Sequence, residues 1–425
     1  MTTCARMRRT LLASALLLGG PAPAAEFPEG IDYAVQITSS VQHQSNPARL
    51  PDSSDQRRAA AVMLNAIGLA TQVPLLSRDT RLDLAASVGD ARYSNTRQLD
   101  HQPRYLNVGL NWRAGRLFDG RVGFRHEEQL NDLNRAFPQR DMTKRQGMEA
   151  EAGLRVTEAL RVPVLALFQN TVRYDFEGNR QLYDRDENGW QVSAFYSGLG
   201  RSFAQAGLRH TGVDYIRRDP AQTALLDDAY DDNEAFINVQ WDYSPKTLVG
   251  ARIGYLRRTY DNLDGRDTNL LTLNALATWD YSAKTQFDLR LWRRPYAYDD
   301  NPNVLYSTET GGRLSVRWRA TPKITVGLGV ERTVQQQDTI TSGAGSEDVH
   351  TWRYGPRIEW AMRDNLRWVL DFYRDRETSP IPQDSYDQRF VRLGVQYTFG
   401  DRAGTLSQRL RSDECQYRRS EFDLC

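Results

Sequence analysis

The chain is poor in the features that mark most helical membrane proteins and most enzymes. After the N-terminal region its longest apolar runs are 59–64 and 162–168. A membrane-crossing helix needs roughly 17–25 apolar residues, so a helical membrane protein is excluded. The mean hydropathy of −0.63 and the 26% charged residues agree. There are 3 cysteines, Cys4, Cys415 and Cys425, with no metal-site spacing. The 5 histidines, His43, His101, His126, His210 and His350, are scattered, and none stands at ligand spacing from another. No Gly-x-Ser-x-Gly elbow or phosphate-cradling loop is present. No catalytic residue, metal ligand or cofactor is therefore expected. A hydrolase that assembles Ser, His and Asp from separate strands is the enzyme alternative, open to lipase, esterase and protease assays. Net charge is only +1, from 55 basic and 54 acidic residues, which is not the signature of a nucleic-acid binder. Lysine is scarce too: all but a handful of the basic residues are arginine.

What is present begins at the N-terminus. Arg6, Arg8 and Arg9 precede the uncharged apolar stretch Leu11–Leu18. Gly19, Gly20, Pro21 and Pro23 then break any helix, and Ala22-Pro23-Ala24 supplies small residues for cleavage. This is the pattern of a secretory signal peptide, cut after Ala24 or Ala25. An apolar core helix is the alternative, but nothing amphipathic follows. No cysteine follows the cut, so a lipid anchor is not expected. A secreted chain of this hydropathy is either soluble in the periplasm or a transmembrane β-barrel, in which only every second strand residue faces lipid.

The remaining sequence alternates with a period of two. In 235–243, Ala235, Ile237, Val239, Trp241 and Tyr243 share one face; Asn238, Gln240 and Asp242 share the other, with Phe236 as the exception. Ser244-Pro245-Lys246-Thr247 is a tight turn, and Val249, Ala251, Ile253 and Tyr255 resume the alternation. This is a hairpin. The unit recurs before the turns at 282–285, 320–323 and 361–365, each time with a tryptophan close by: Trp241, Trp279, Trp318 and Trp360, with Trp112 in the same position before Ala114-Gly115-Arg116. These five are expected to form an aromatic girdle at a membrane interface. Longer polar segments alternate with the short turns, among them 219–232, 299–303 and 338–348. The Trp-Asp pairs at 241–242 and 279–280 also suit a soluble propeller with a period of roughly 40 residues. Strand length decides against it: each strand here runs roughly 13–17 residues, against about 5–6 in soluble sheets.

The expected fold is all-β: a transmembrane antiparallel up-and-down β-barrel of about 18 strands, with 16 as the alternative because the first third is less periodic. Strands are expected to start near Ile31, Ala59, Thr80, Arg104, Gly120, Gly147, Pro163, Gly189, Ser202, Asp232, Thr247, Thr268, Lys284, Ser307, Lys323, His350, Leu366 and Tyr386. An even count places both termini in the periplasm. The domains are then a signal peptide over 1–24, the barrel over 25–400 and a polar periplasmic tail over 401–425. Residues 392–399 read as a closing strand, with Gly394, Tyr397 and Phe399 resembling the signal recognised by the outer-membrane barrel assembly machinery. In the arginine-rich tail, Cys415 and Cys425 are a possible disulfide in an oxidising compartment. The tail is either a docking segment for a periplasmic partner or a disordered extension.

Assigning faces in the C-terminal half puts Arg252, Arg258, Arg290, Arg294, Arg313, Arg317, Arg319, Arg353, Arg357, Arg367 and Arg392 inside, with Asp242, Asp280, Asp288, Glu331, Glu359 and Asp371. Acids such as Asp184, Asp186, Asp227, Asp228, Asp231, Asp232, Asp299 and Asp300 fall in loops. The expectation is a basic lumen under an acidic rim. Arginine pairs bidentately with carboxylates and phosphates, and charged rings set pore selectivity, so anionic solutes would contact these residues. Aromatic rings beside the arginines would stack on sugars. The structural alternative is a ladder of paired charges that stiffens the wall.

The segment Ser45-Asn46-Pro47-Ala48-Arg49-Leu50-Pro51-Asp52, the block 385–400 with Tyr386-Asp387-Gln388-Arg389, and the Trp-ended hairpins with Tyr-Ser-x-Lys-Thr turns together carry a resemblance. Over residues 26–400 the chain resembles the outer-membrane β-barrels encoded with exopolysaccharide biosynthesis genes (EpsL-like). The resemblance implies a conduit for export or assembly of a surface polysaccharide, with that polymer as cargo and periplasmic export proteins as partners. The alternative is a general or anion-preferring small-solute porin. Both require outer-membrane lipid around the wall.

Overall fold

The computed structural model describes residues 31–77, 80–131, 140–175, 179–296, 304–339 and 347–400. Contacts divide the chain into Met1–Ile31 and Asp32–Cys425. The expected signal peptide, the tail with Cys415 and Cys425, and the segment 299–303 lie outside the described residues.

Among the described residues the second unit forms an 18-stranded sheet. The strands are β1 (Asp32–Gln44), β2 (Ala60–Ser77), β3 (Thr80–Tyr93), β4 (Arg104–Ala114), β5 (Phe118–Leu130), β6 (Met142–Arg155), β7 (Leu160–Tyr174), β8 (Arg185–Ser197) and β9 (Phe203–Tyr215). There follow β10 (Ala229–Ser244), β11 (Thr247–Tyr260), β12 (Thr268–Trp279), β13 (Thr285–Tyr296), β14 (Val304–Arg319), β15 (Ile324–Thr339), β16 (Glu347–Arg363), β17 (Leu366–Thr378) and β18 (Tyr386–Phe399). One short helix, α1 (Pro220–Leu226), lies between β9 and β10. Every strand pairs antiparallel with its chain neighbour, and β18 pairs with β1. The barrel is closed, so no strand edge is left unpaired, which is what a sheet needs in hydrocarbon. The all-β barrel expectation holds, and the count is 18 rather than 16.

Alternation sets the two faces. On β10, Ile237 and Trp241 are 59% and 56% exposed, whereas Glu234 and Phe236 on the opposite face are buried. Large apolar side chains lie outside along the whole circuit, including Ile37, Leu167, Leu208, Leu271, Leu328 and Leu393. Phe236 breaks the polar pattern because its inward ring serves as a platform: the Arg252 guanidinium lies 3.8 Å from its centroid.

The ends differ. Tight turns join β4 to β5, β10 to β11, β14 to β15 and β16 to β17, and longer connections join the strands at the opposite end. Some expected boundaries are corrected. Strand β6 starts at Met142 rather than Gly147, and β8 at Arg185 rather than Gly189. Glycine reads as a breaker, yet these glycines sit inside strands and make room. A Cβ on Gly147 would lie 2.7 Å from Asn170 Oδ1, and one on Gly189 would overlap the Phe168 ring. The loop expected over 219–232 ends earlier, since Asp231 and Asp232 belong to β10. Likewise Asp338 belongs to β15 and Asp348 to β16.

The seam between first and last strands is regular. Gly394 pairs with Ser40, Tyr397 with Ile37 and Phe399 with Val35. A Cβ on Gly394 would lie 3.3 Å from Ser40 Cβ. The Tyr397 hydroxyl accepts a hydrogen bond from Asn365 Nδ2 at 3.1 Å. At the long-loop end of the seam, Asn46 closes a local turn with Leu50 through bonds of 2.7 and 3.0 Å. The Arg49 guanidinium lies 5.2 Å from the Tyr386 ring centroid, and Arg389 N donates to Ser45 Oγ at 2.8 Å. The segments 45–52 and 385–400, far apart in sequence, therefore meet at the closure of the barrel.

Candidate functional site

Register fixes which charges meet inside. One row runs Arg290, Arg313, Glu331, Arg353, Asp375 and Gln388 across β13 to β18. A second runs Gln286, Arg317, Gly327, Arg357, Asp371 and Arg392. The second centres on Asp371, whose side chain is fully buried. Arg392 grips it with Nε and Nη2 at 2.7 and 2.6 Å, and Arg357 Nε stands 3.7 Å away on the other side. Arg357 also reaches Glu359 at 2.8 Å, which Arg367 approaches at 3.4 Å. Arg353 holds Asp375 at 2.9 Å, and Arg317 meets Asp288 at 3.3 Å. Glu309 takes Arg294 at 2.8 Å and the Trp292 indole N–H at 2.6 Å. Arg252 pairs with Glu234 at 2.7 Å, and Arg258 clasps Asp232 with two bonds of 2.8 and 2.7 Å. Arg319 stands exposed at the short-turn end.

Each arginine singled out from the sequence thus falls on the inner register face, but most meet a carboxylate there. Asp232, read as part of the acidic rim, is one of these partners. Glu234, Glu309 and Asp375 are others that the sequence reading passed over. The N-terminal half carries the same chemistry. Arg161 bridges Asp119 and Glu151 at 2.6 and 2.9 Å, and Arg185 meets Glu187 at 2.8 Å. The signal was available as alternation in 119–127 and 149–155, where charges and glycines occupy every second position. Like charges also come face to face within this lattice, with Glu331 opposite Arg313 on its other side. Arg290 and Arg313 are directly opposite each other on β13 and β14, with Arg317 further along the same inner face. Like charges directly opposite repel. Arg313 Nε donates to Ser315 Oγ at 3.2 Å.

The inner face also carries rings that the sequence reading did not place. The Arg209 guanidinium lies 4.4 Å from the Phe168 centroid, and Tyr373 stacks on Phe390 at 4.9 Å.

At the long-loop end, one side of the mouth is built up into a shoulder. Leu182 and Tyr183 from the β7–β8 connection and Leu226 from α1 pack on the inward Val172 and Tyr174, with Tyr215 alongside. The helix starts with a reciprocal capping box between Asp219 and Gln222. Arg218 lies 3.5 Å from the Tyr215 ring centroid and donates to the carbonyls of Leu182 and Leu226 at 3.3 and 2.8 Å. Asp227 ties the β11–β12 connection to its own segment, accepting from Asn262 N, Leu263 N and Asp228 N at 2.8, 2.9 and 2.8 Å. Burial works against its charge, but these bonds and that from the Asn262 side chain hold its carboxyl below the usual range. Asp184 shifts the other way: burial pushes it up, opposed by the Tyr174 N–H and by Arg173 and Arg217. Arg180 and Asp141 meet at 3.0 Å, both fully buried.

On the outer face, Trp241, Trp279, Trp318 and Trp360 are exposed near the short-turn end, and Trp112 packs across Gly120. A Cβ on that glycine would lie 2.5 Å from the indole. Lys246, Lys284 and Lys323 lie in the turns beside them. Among the described residues no group of three His, Cys, Asp or Glu side chains is arranged to hold a metal ion.

No protein-family model and no curated protein sequence matches the chain. Solved structures do. The chain is similar in fold to Pseudomonas aeruginosa OccK2 (OpdF), with a TM-score of 0.52 and 12% identity over 89% of this chain and 100% of that one. The same protein solved in complex with glucuronate gives 0.51 and 12%, over 88% and 99% of the two chains. A BenF-like porin from Pseudomonas fluorescens Pf-5 gives 0.51 and 11%, over 88% and 100%. The fold is that of an 18-stranded outer-membrane porin.

Proposed function

We propose that the chain is an outer-membrane porin passing small anionic solutes along the arginine-rich wall of β13 to β18. The observation that carries this reading is the inner register of β13 to β18, which sets Arg290, Arg313, Arg317, Arg353, Arg357 and Arg392 along one wall. A carboxylate or phosphate passing this wall meets guanidinium forks at successive inward positions. Carboxylates in register hold these arginines in place, so the ladder and the selective wall are one construction. The long-loop end faces outward and the short turns face the periplasm, as in barrels of this type. The five tryptophans form the interfacial girdle, and Gly394, Tyr397 and Phe399 are read by the assembly machinery. Glucuronate, present in the neighbour's structure, sets the size class to try first.

The test is the reversal potential of the refolded barrel in planar bilayers under a potassium chloride gradient. The intact chain is expected to prefer chloride. Replacing Arg313, Arg317 and Arg357 with glutamate is expected to weaken or reverse that preference. Unchanged selectivity in the folded variant would remove the role assigned to these arginines.

The export-conduit reading rests on segments 45–52 and 385–400. Their meeting at the seam supports a second account, in which they resemble family motifs because they close the barrel. A deletion strain that exports its surface polysaccharide normally, while losing anion uptake, decides for the porin.

A further inference from the structure

The lumen is not the only place where arginines gather. On the outer face of β15 to β18, one register row runs Arg332, Trp352, Arg376 and Asp387. Directly beneath it, Tyr354, Arg374 and Arg389 form the next outward row. One carboxylate stands among these guanidiniums, with Arg376 opposite it, Arg389 two residues along β18 and Arg332 three strands away. Asp387 is engaged by Arg374, through Nε at 3.0 and 3.1 Å, and Arg374 Nη1 also donates to the Tyr354 hydroxyl at 3.4 Å. Arg332 lies 5.4 Å from the Trp352 ring centroid. Arg332, Arg376 and Arg389 are exposed.

Position gives the cluster its meaning. Val330, Phe372 and Val391, each two residues along its strand from Arg332, Arg374 and Arg389, belong to the exposed apolar wall together with Leu328, Leu370 and Leu393. A two-residue step is about 7 Å along a strand. At the opposite end the same strands carry aromatic side chains at this boundary, Trp360 and Phe399 among them, rather than a cluster of arginines. The two rims of one wall are therefore chemically unlike. A neutral headgroup layer would not call for a fourfold guanidinium patch directly above an acyl-facing surface.

We infer that this outward cluster binds the phosphate-bearing headgroup of a lipid in the leaflet at the long-loop end. Its acyl chains lie along the apolar wall of β15 to β18. Arg376 and Arg389 flank the occupied Asp387 and offer forked donors to phosphate oxygens, as does Arg332, which Trp352 holds upright. Asp387 keeps Arg374 in line, so it positions the cluster. The inference rests on the membrane-barrel reading above and concerns a surface outside the solute path.

The test uses the full folded chain in dodecyl maltoside micelles, titrated with lipid A bearing both phosphates and with the same lipid after removal of its phosphates, followed by native mass spectrometry. The intact chain is expected to hold the phosphorylated lipid more tightly by on the order of tenfold or more. In the triple variant Arg332→Gln, Arg376→Gln and Arg389→Gln that preference is expected to vanish. The corresponding lysine triple should retain part of it, and the lumen variant Arg313→Gln with Arg317→Gln should retain all of it. A preference absent in the intact chain, or unchanged in the glutamine triple, overturns the inference. So does a glutamine triple whose only change is a lost oligomer, because the patch is then a contact between copies. Single-channel conductance of the same preparations separates the outcomes. Barrels that conduct but ignore phosphate refute only the lipid site, whereas preparations that never insert refute the barrel reading beneath it.

Discussion

The arginine wall of β13 to β18 and the shoulder over β7 to β11 are built from the same residue types and behave as opposites. On the wall, charges pair across strands in register, side chain to side chain, and the arginines keep part of their surface open to the lumen. Arg353 is 46% exposed and Arg317 58%. In the shoulder, charges are spent on backbone groups and buried partners: Arg218 on carbonyls, Asp227 on N–H groups, Arg180 on Asp141. The wall can exchange a carboxylate partner for a passing anion because water already reaches it. The shoulder cannot, because an unpaired charge there has no solvent to fall back on. Selectivity belongs to the first region and the shape of the mouth to the second.

Several measurements would break or sharpen that contrast. The largest effect is expected from Arg180→Met, which takes the guanidinium away from the buried Asp141 carboxylate at a cost of about 3–5 kcal/mol. Amide exchange should accelerate in 141–143 and 179–184 while ion selectivity stays put. A change confined to selectivity would erase the distinction between the regions. Next comes Asp371→Asn on the wall. Removing the charge between Arg357 and Arg392 is expected to cost about 1–3 kcal/mol and to move the reversal potential further toward anions. A shift toward cations would mean that Asp371 does not oppose anion passage.

The shoulder also makes a prediction with two signs. Asp227, held below the usual carboxylate range, contributes stability that is complete above about pH 4 and fades as pH falls through its lower folded value. Asp184, pushed up by burial, costs stability when ionised, and that cost is relieved as acid protonates it. Asp227→Asn should therefore loosen the shoulder at neutral pH, by about 1–3 kcal/mol, whereas Asp184→Asn should leave it unchanged or firmer. Loop proteolysis across pH 3 to 7, read as about four units around the carboxylate range, compares them; equal loosening by both would contradict the assignment. The smallest effect is expected for Arg353→Lys, within about 1 kcal/mol, since lysine keeps the positive charge beside Asp375 and the side chain replaced is 46% exposed. Thermal unfolding in detergent measures it.

Much of this architecture was legible beforehand, and particular residues show why. Thr80, Arg104, Thr247, Thr268, Leu366 and Tyr386 start strands where the alternation puts them. The starts expected at Pro163, Asp232, Ser307 and His350 fall three residues late, and the largest misplacements are at Gly147 and Gly189, where a glycine that makes room for a neighbouring strand looks the same in sequence as one that ends a strand. The inner arginines could be named by parity alone. Their partners could not, because Glu234, Glu309 and Asp375 become neighbours of Arg252, Arg294 and Arg353 only through strand register.

The sequence by itself determined the closed antiparallel wall, since a period of two over long strands leaves one face apolar and the other polar whatever the loops do. Only the tertiary structure decided that most lumen arginines are balanced, that Arg290 and Arg313 face each other, and that Asp227 joins two loops. Those outcomes depend on which strands are adjacent and by how many residues they are offset. Register carries that information between strands, and no single strand contains it.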